Sequence, residues 1–216
     1  MAVNERILIV TSVEAEREAI RRGIGDTERF EVAVVGVGSA SAAAGTAAAL
    51  ANGSYRLVIN AGIGGGFAGQ ADIGTLVIAS ECVAADLGAE TADGFVLIDE
   101  LGFGSARIQT ESQLSDSWQM KLGQAGITSI VAPIVTVTTV TGTASTASKL
   151  ETLVPGAAAE AMEGFGAATA AKLFATPFIE IRAISNAVGP RNREDWRIKD
   201  ALMALEAASK VLVEVV

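Results

Sequence analysis

Short β-branched runs alternate with helix-compatible stretches along nearly all of this 216-residue chain, and that alternation limits the fold more than any other feature. Residues 7–10, 31–37, 56–60, 74–85, 130–140 and 178–185 read as strands, apolar enough to be buried on both faces. Residues 14–22, 39–50, 111–124, 144–153, 158–174 and 195–216 read as helices, with Ser12 as a candidate cap for the first. The order predicts an α/β fold, a three-layer α/β/α sandwich. Residues 56–85 hold two strands with no clear helix between them, which breaks the βαβ rhythm and predicts a mixed, partly barrel-like central sheet. Residues 91–107 read as an excursion with a turn at Asp93-Gly94. No linker, repeat or low-complexity break divides 1–216, so one domain is expected.

Composition narrows the chemistry. Half of the residues are apolar but only 5% are aromatic, and Ala and Gly abound, which predicts thin, closely packed layers. A formal charge of −9 repels phosphate backbones, so no nucleic-acid polymer is expected as a partner. Histidine is absent, which excludes a histidine base and a histidine-ligated metal. With Cys82 the one cysteine, no intrachain disulfide can form, a zinc site is not expected, and Cys82 itself reads as a buried small hydrophobe. Acid–base work must fall to carboxylates or amides. No metal and no organic cofactor are expected. Glu5 and Arg6 interrupt the opening residues before any long apolar run, and no stretch of about 18 apolar residues occurs. The expectation is a cytoplasmic protein without membrane association.

Several motifs stand at predicted strand ends, where open α/β sheets bind ligands. Gly64–Gly69 matches G-x-G-x-x-G, but the turn chemistry of Gln70-Ala71-Asp72-Ile73-Gly74 follows it instead of a helix. Gly36-Val37-Gly38 opens a better helix but has Ser41 at the third position. Asn60–Phe67 reads either as a tight turn or as a backbone floor under a flat ligand, since glycine lets main chain approach closely. Glu14 and Glu16 follow the first strand, either solvated in a first helical turn or able to activate a water. Glu160-Ala161-Met162-Glu163-Gly164 lies in an Ala-rich segment otherwise almost uncharged, and Glu163, flanked by Met162 and Gly164-Phe165, is either on a solvated helix face or aimed into a site. Asn186 closes the late strand, and a carboxamide offers both donor and acceptor to a heteroaromatic edge. Three distant segments converging at strand ends make the pattern of a composite active site.

Taken in order, these pieces resemble the nucleoside phosphorylase and nucleosidase superfamily. The resemblance runs through Val13-Glu14-Ala15-Glu16, Asn60-Ala61-Gly62-Ile63-Gly64-Gly65, the segment 136–141, Ala161-Met162-Glu163-Gly164 and Ile181-Arg182-Ala183-Ile184-Ser185-Asn186. Within the superfamily the chain looks most like the futalosine hydrolase family. That likeness rests on Ala85-Asp86-Leu87-Gly88-Ala89-Glu90, Asp93-Gly94-Phe95, Thr139-Val140-Thr141-Gly142-Thr143, and Ser185-Asn186-Ala187-Val188-Gly189-Pro190-Arg191-Asn192-Arg193 with Trp196.

The resemblance implies hydrolysis of the N-glycosidic bond of a small purine nucleoside by a homo-oligomer. It implies that Glu16 orients and deprotonates the attacking water, that Glu163 binds ribose hydroxyls, and that Met162 packs on the sugar. It places Ile63, Gly64, Val140 and Thr141 around the base, with Ile63 where adenine-specific enzymes have serine. Asn186 stands where those enzymes have an aspartate able to protonate the leaving base, which points to a 6-oxopurine leaving group. Arg191, Arg193 and Arg197 around Trp196 are candidates to hold an anionic 5′ tail, and Phe103 is a candidate wall residue. The competing readings are a phosphorylase of the same fold, a methylthioadenosine nucleosidase, and a nucleotide-binding module without catalysis.

Overall fold

The computed structural model describes residues 6–216; residues 1–5, which include the Glu5 that interrupts the opening residues, lie outside the described residues. The first strand, β1 (Ile7–Thr11), is buried throughout. Because alternate side chains of a strand face opposite ways, Ile7 and Ile9 enter one apolar layer while Leu8 and Val10 enter the other. β1 pairs in parallel with β2 (Phe30–Val34) and with the first half of β3 (Leu57–Gly66).

The rest of the sheet curls. β10 (Phe178–Ala187) runs parallel to β3 and antiparallel to β4 (Leu76–Ala84). β4 runs parallel to β8 (Ser129–Thr136), and β8 runs parallel to β9 (Ala159–Ala161). β9 then returns antiparallel to Gly65 and Gly66 of β3 and closes a ring of strands. The sheet is therefore mixed and partly barrel-like, as the missing helix between 56 and 85 predicted, with β1 and β2 as an open wing. β7 (Arg107–Gln109) lines up beside the far half of β4.

Helices cover both faces. α1 (Glu14–Ile24), α4 (Ser112–Gln124) and α7 (Ile198–Leu212) set Ile20, Trp118, Leu122 and Leu205 against Ile9, Ile59 and Ile181. α2 (Ser39–Asn52) and α6 (Gly164–Leu173) set Ala42, Leu50, Ala167 and Ala171 against Leu8, Val10 and Ile184. The small residues bring α2 and α6 very close: a Cβ on Gly166 would stand 2.0 Å from the Ser39 carbonyl oxygen. α5 (Ala144–Leu153) closes one end of the ring. The excursion expected over 91–107 begins earlier, at Gly88: β5 (Gly88–Thr91) and β6 (Gly94–Leu97) form a hairpin turned at Asp93-Gly94, followed by the one-turn α3 (Ile98–Leu101).

Four expectations are corrected. The continuous helix over 158–174 is a strand followed by a helix. Ala159–Ala161 is drawn into the ring by pairing with β3 and β8, and tertiary pairing overrides alanine's helical preference. The strand over 130–140 ends at Thr136, because β9 takes up its last pairings and residues 137–143 leave the sheet. Of the two readings of Asn60–Phe67 the tight turn is wrong, since β3 continues to Gly66, while the strand backbone at Gly64 and Gly65 does line a cavity, described below. Ser12 does not cap α1. The N-cap is Val13, and the Ser12 hydroxyl donates to Glu16 at 2.7 Å.

Candidate active site

The carboxyl ends of the parallel strands β1, β3 and β10 meet at one edge of the sheet, the position where such sheets bind ligands. There a cavity of about 380 Å³ is lined by Glu16, Ile63, Gly64, Val140, Met162, Glu163, Asn186 and Trp196, all eight singled out from the sequence. Larger hollows of about 590 Å³ and 930 Å³ lie at Trp196–Asp200 and between α5 and the β5–β6 hairpin, but their acidic side chains are exposed. The smaller cavity alone among these gathers buried carboxylates.

Glu16 occupies the third position of α1, where a carboxylate can reach back to orphan amides at the helix start. Its Oε2 accepts from the amides of Ser12 at 2.9 Å and Val13 at 3.3 Å as well as from the Ser12 hydroxyl. Its Oε1 accepts from the Ile63 amide at 2.9 Å. Three donors fall on Oε2 and one on Oε1 of a carboxylate that is 2% exposed, so the acceptor site left open is the second lone pair of Oε1. Gly62 makes the approach possible: a Cβ there would lie 2.6 Å from Glu16 Oε1 and 2.7 Å from Arg182 Nη1.

Glu163 stands at the start of α6, but its side chain leaves its own helix uncapped. Oε1 instead accepts from the Gly38 amide at the N-terminus of α2, at 3.1 Å, where the helix dipole favours negative charge. Oε2 accepts from Arg182 Nη1 at 3.2 Å. Arg182 is buried, donates through Nε to Glu180 Oε1 at 2.8 Å and through Nη2 to Asn60 Oδ1, and so tethers β10, β3 and α6. Burial alone would lower the guanidinium pKa, but Glu180, Glu163 and Glu16 outweigh it and hold the group above its ordinary value. Glu180 is satisfied in turn by the Cys82 thiol at 2.8 Å, and burial pushes that thiol well above its ordinary pKa.

Asn186 follows a bulge in β10 between Ile184 and Asn186, which sets it opposite Gly65. Its Oδ1 accepts from the Ser185 hydroxyl at 2.8 Å, and its Nδ2 donates to the Ala187 carbonyl at 2.9 Å. One amide hydrogen is left for the cavity.

The remaining expected residues sit elsewhere. Thr141 is buried behind the cavity wall, donating its amide at 3.0 Å and its hydroxyl to Glu160. Arg193 lines the neighbouring hollow, which shares Trp196 with the cavity, and the Arg191 guanidinium lies 5.3 Å over the Trp196 ring. Phe103, 81% exposed after α3, lines neither.

Glu160 is the cavity carboxylate to which the sequence reading gave no role. A helix over 158–174 would have left it one more charge in an Ala-rich stretch, whereas the strand β9 buries it at the cavity. Burial raises its carboxyl pKa above the usual range, against the two bonds from Thr141. Glu160 has no ion pair among the described residues.

Comparison with known proteins agrees with this geometry. The family model of the phosphorylase superfamily matches residues 8–216. The chain is 43% identical to a futalosine hydrolase of Streptomyces coelicolor over 94% of its own length and 92% of that protein's. It is 41% identical to a futalosine hydrolase of Acidothermus cellulolyticus, covering 95% of this chain and 89% of the other. The solved futalosine hydrolase of Helicobacter pylori superposes with a TM-score of 0.86 over 100% of both chains at 16% identity, a likeness of fold. Matched over nearly its whole length, this chain belongs to the phosphorylase superfamily.

Proposed function

We propose that this chain hydrolyses the N-glycosidic bond of futalosine and releases hypoxanthine, a step of menaquinone formation by the futalosine route. The observation that carries the reading is the charge of the cavity: Glu16, Glu160 and Glu163 line it, and among the described residues no lysine or arginine does. Arg182, the nearest buried cation behind it, is already committed to Glu180, Glu163 and Asn60. Such a wall repels phosphate and admits water, so cleavage is hydrolytic and not phosphorolytic.

Glycoside cleavage with a good leaving base develops positive charge on the ribose and negative charge on the purine. Glu163 faces the sugar, takes its hydroxyls and stabilises that cation, with Met162 packed against the ring. Glu16 accepts a proton from the water attacking C1′. General-base assistance of this kind contributes about 10²–10⁴-fold. Asn186 donates to the departing base, a preorganised electrostatic contribution. The carboxamide does not supply the proton that an aspartate at this position could, and this disfavours the methylthioadenosine reading. Trp196 leads from the cavity to a hollow bearing Arg193 and Arg197, suited to the anionic carboxyphenyl end of futalosine. Exposed apolar residues such as Phe103 and Leu173 fit a homo-oligomer, in which Phe103 would reach a neighbouring copy's site.

The test is purine release from futalosine, inosine and methylthioadenosine, each with and without phosphate. Hypoxanthine released from futalosine alone, with no need of phosphate, is the expected result. Phosphate-dependent release, or preference for methylthioadenosine, would overturn the substrate and the mechanism while leaving the family intact.

A further inference from the structure

Glu160 and Asn186 are register partners of the same residue. Gly65 of β3 pairs with Glu160 of β9 on one side and with Asn186 of β10 on the other. Two strand spacings, about 10 Å, separate their backbones. Both residues line the cavity and, as register partners of Gly65, project from the same face of the sheet, where Gly65 itself contributes no side chain. A Cβ there would lie 2.9 Å from Val188 Cγ2 and 3.3 Å from Asn186 Nδ2. The result is a slot floored by glycine backbone, with a carboxylate on one wall and a carboxamide on the other.

The hydrogen-bonding capacity of the two walls is unequal. The Glu160 carboxylate is 5% exposed and accepts only from the Thr141 amide and hydroxyl, so about half of its roughly four lone-pair sites remain open. Asn186 has its oxygen engaged by Ser185 and one amide hydrogen free. The slot therefore offers an acceptor beside a donor. A 6-oxopurine presents the complement on adjacent atoms: N1–H donates and O6 accepts. A 6-aminopurine presents the reverse, and its N1 lone pair would face a carboxylate.

We propose that Glu160 is a specificity-determining residue, accepting the N1–H of a lactam purine while Asn186 donates to O6. The assignment rests on the reading of this cavity as a purine nucleoside site and deepens it: two residues on opposite flanks of one glycine read one edge of the base together. Thr141 orients the carboxylate from behind and is a positioning residue.

Calorimetry with the free bases hypoxanthine, 1-methylhypoxanthine and adenine tests this without requiring turnover. The wild-type protein is expected to prefer hypoxanthine over its N1-methyl derivative, and Glu160→Gln to lose about 10- to 100-fold in hypoxanthine affinity with little change for 1-methylhypoxanthine. Thr141→Val, which keeps the carboxylate and its bond from the residue 141 amide but loses the hydroxyl, is expected to weaken the preference less than Glu160→Gln does. Equal binding of hypoxanthine and 1-methylhypoxanthine by the wild type would overturn the role of Glu160 and leave the nucleosidase reading standing. A preference that Thr141→Val abolishes as fully as Glu160→Gln would also overturn it, showing that Glu160 only secures the 137–143 segment. Failure to bind any of the three bases would overturn the purine site itself, and this proposal with it.

Discussion

Arg182 and Glu163 form an ion pair at 3.2 Å that is almost wholly removed from water. The pair joins β10 to the start of α6, so the carboxylate proposed to face the sugar is held by the fold and not by solvent. Removing one member of such a pair leaves the other as an uncompensated buried charge. Arg182→Met should cost about 3–5 kcal/mol of stability, read as a lowered urea midpoint at unchanged slope. A loss below about 1 kcal/mol, the scale of exposed pairs, would show that Glu163 and Glu180 find other partners.

Glu16→Gln removes the proposed base while nearly preserving shape. The amide cannot accept on both sides, so one amide hydrogen must face a backbone donor at Ser12, Val13 or Ile63. Turnover of the purine nucleoside should fall by about 10²–10⁴-fold, with binding of the free base retained. Steady-state kinetics beside base titration separates the two effects, and near-normal turnover would remove Glu16 from the chemistry.

Asn186→Asp exchanges a donor for an acceptor toward O6 while keeping size. Activity on the hypoxanthine nucleoside should drop by about 10- to 100-fold, and the ratio of adenine to hypoxanthine release should rise. An unchanged ratio, measured by separating the two bases after reaction, would mean that Asn186 does not contact position 6.

Glu160 predicts a pH effect on stability. Its carboxyl is raised in the folded protein, chiefly by burial. The ionised form is therefore disfavoured by folding. The penalty is absent below the ordinary carboxylate value, where both states are protonated, and grows as pH rises through the raised folded value. Glu160→Gln should accordingly gain stability relative to wild type at neutral pH, with the gain shrinking as the solution is acidified toward and below pH ~4.3. Urea unfolding at several pH values checks this. A pH-independent difference would mean that the carboxyl titrates alike in both states.

Much of the site was legible because its residues break a local pattern. Glu16 stands just past the end of a buried strand, Glu163 is a carboxylate among apolar neighbours, and Asn186 ends an otherwise buried strand. The layered fold and the mixed sheet followed from the order of β-branched runs. Glu160 was not legible, because Ala159–Ala161 has no intrinsic strand preference and becomes a strand only through β3 and β8. The same pairing cut short the strand expected over 130–140, where Val140 and Thr141 look extended by composition yet belong to the segment that crosses to Glu160. The glycines of β3 read as a turn in isolation. Their reason for being glycine lies in Glu16, Arg182, Glu160 and Asn186, which are remote in sequence.

The position of β10 also bears on how the protein is made. This strand lies between β3 and β4 and supplies Arg182 and Asn186, yet it is among the last elements of the chain. A nascent polypeptide that has emerged only as far as α6 carries β3 and β4 with the edges that β10 will cover still unpaired, and open edges invite association with other chains. Synthesis proceeds from the N-terminus, so most of the layers can condense before the wedge that joins them exists. Insertion of β10 then completes the sheet and, with Asn186, the wall of the proposed site together, so a chain that has not finished folding lacks both.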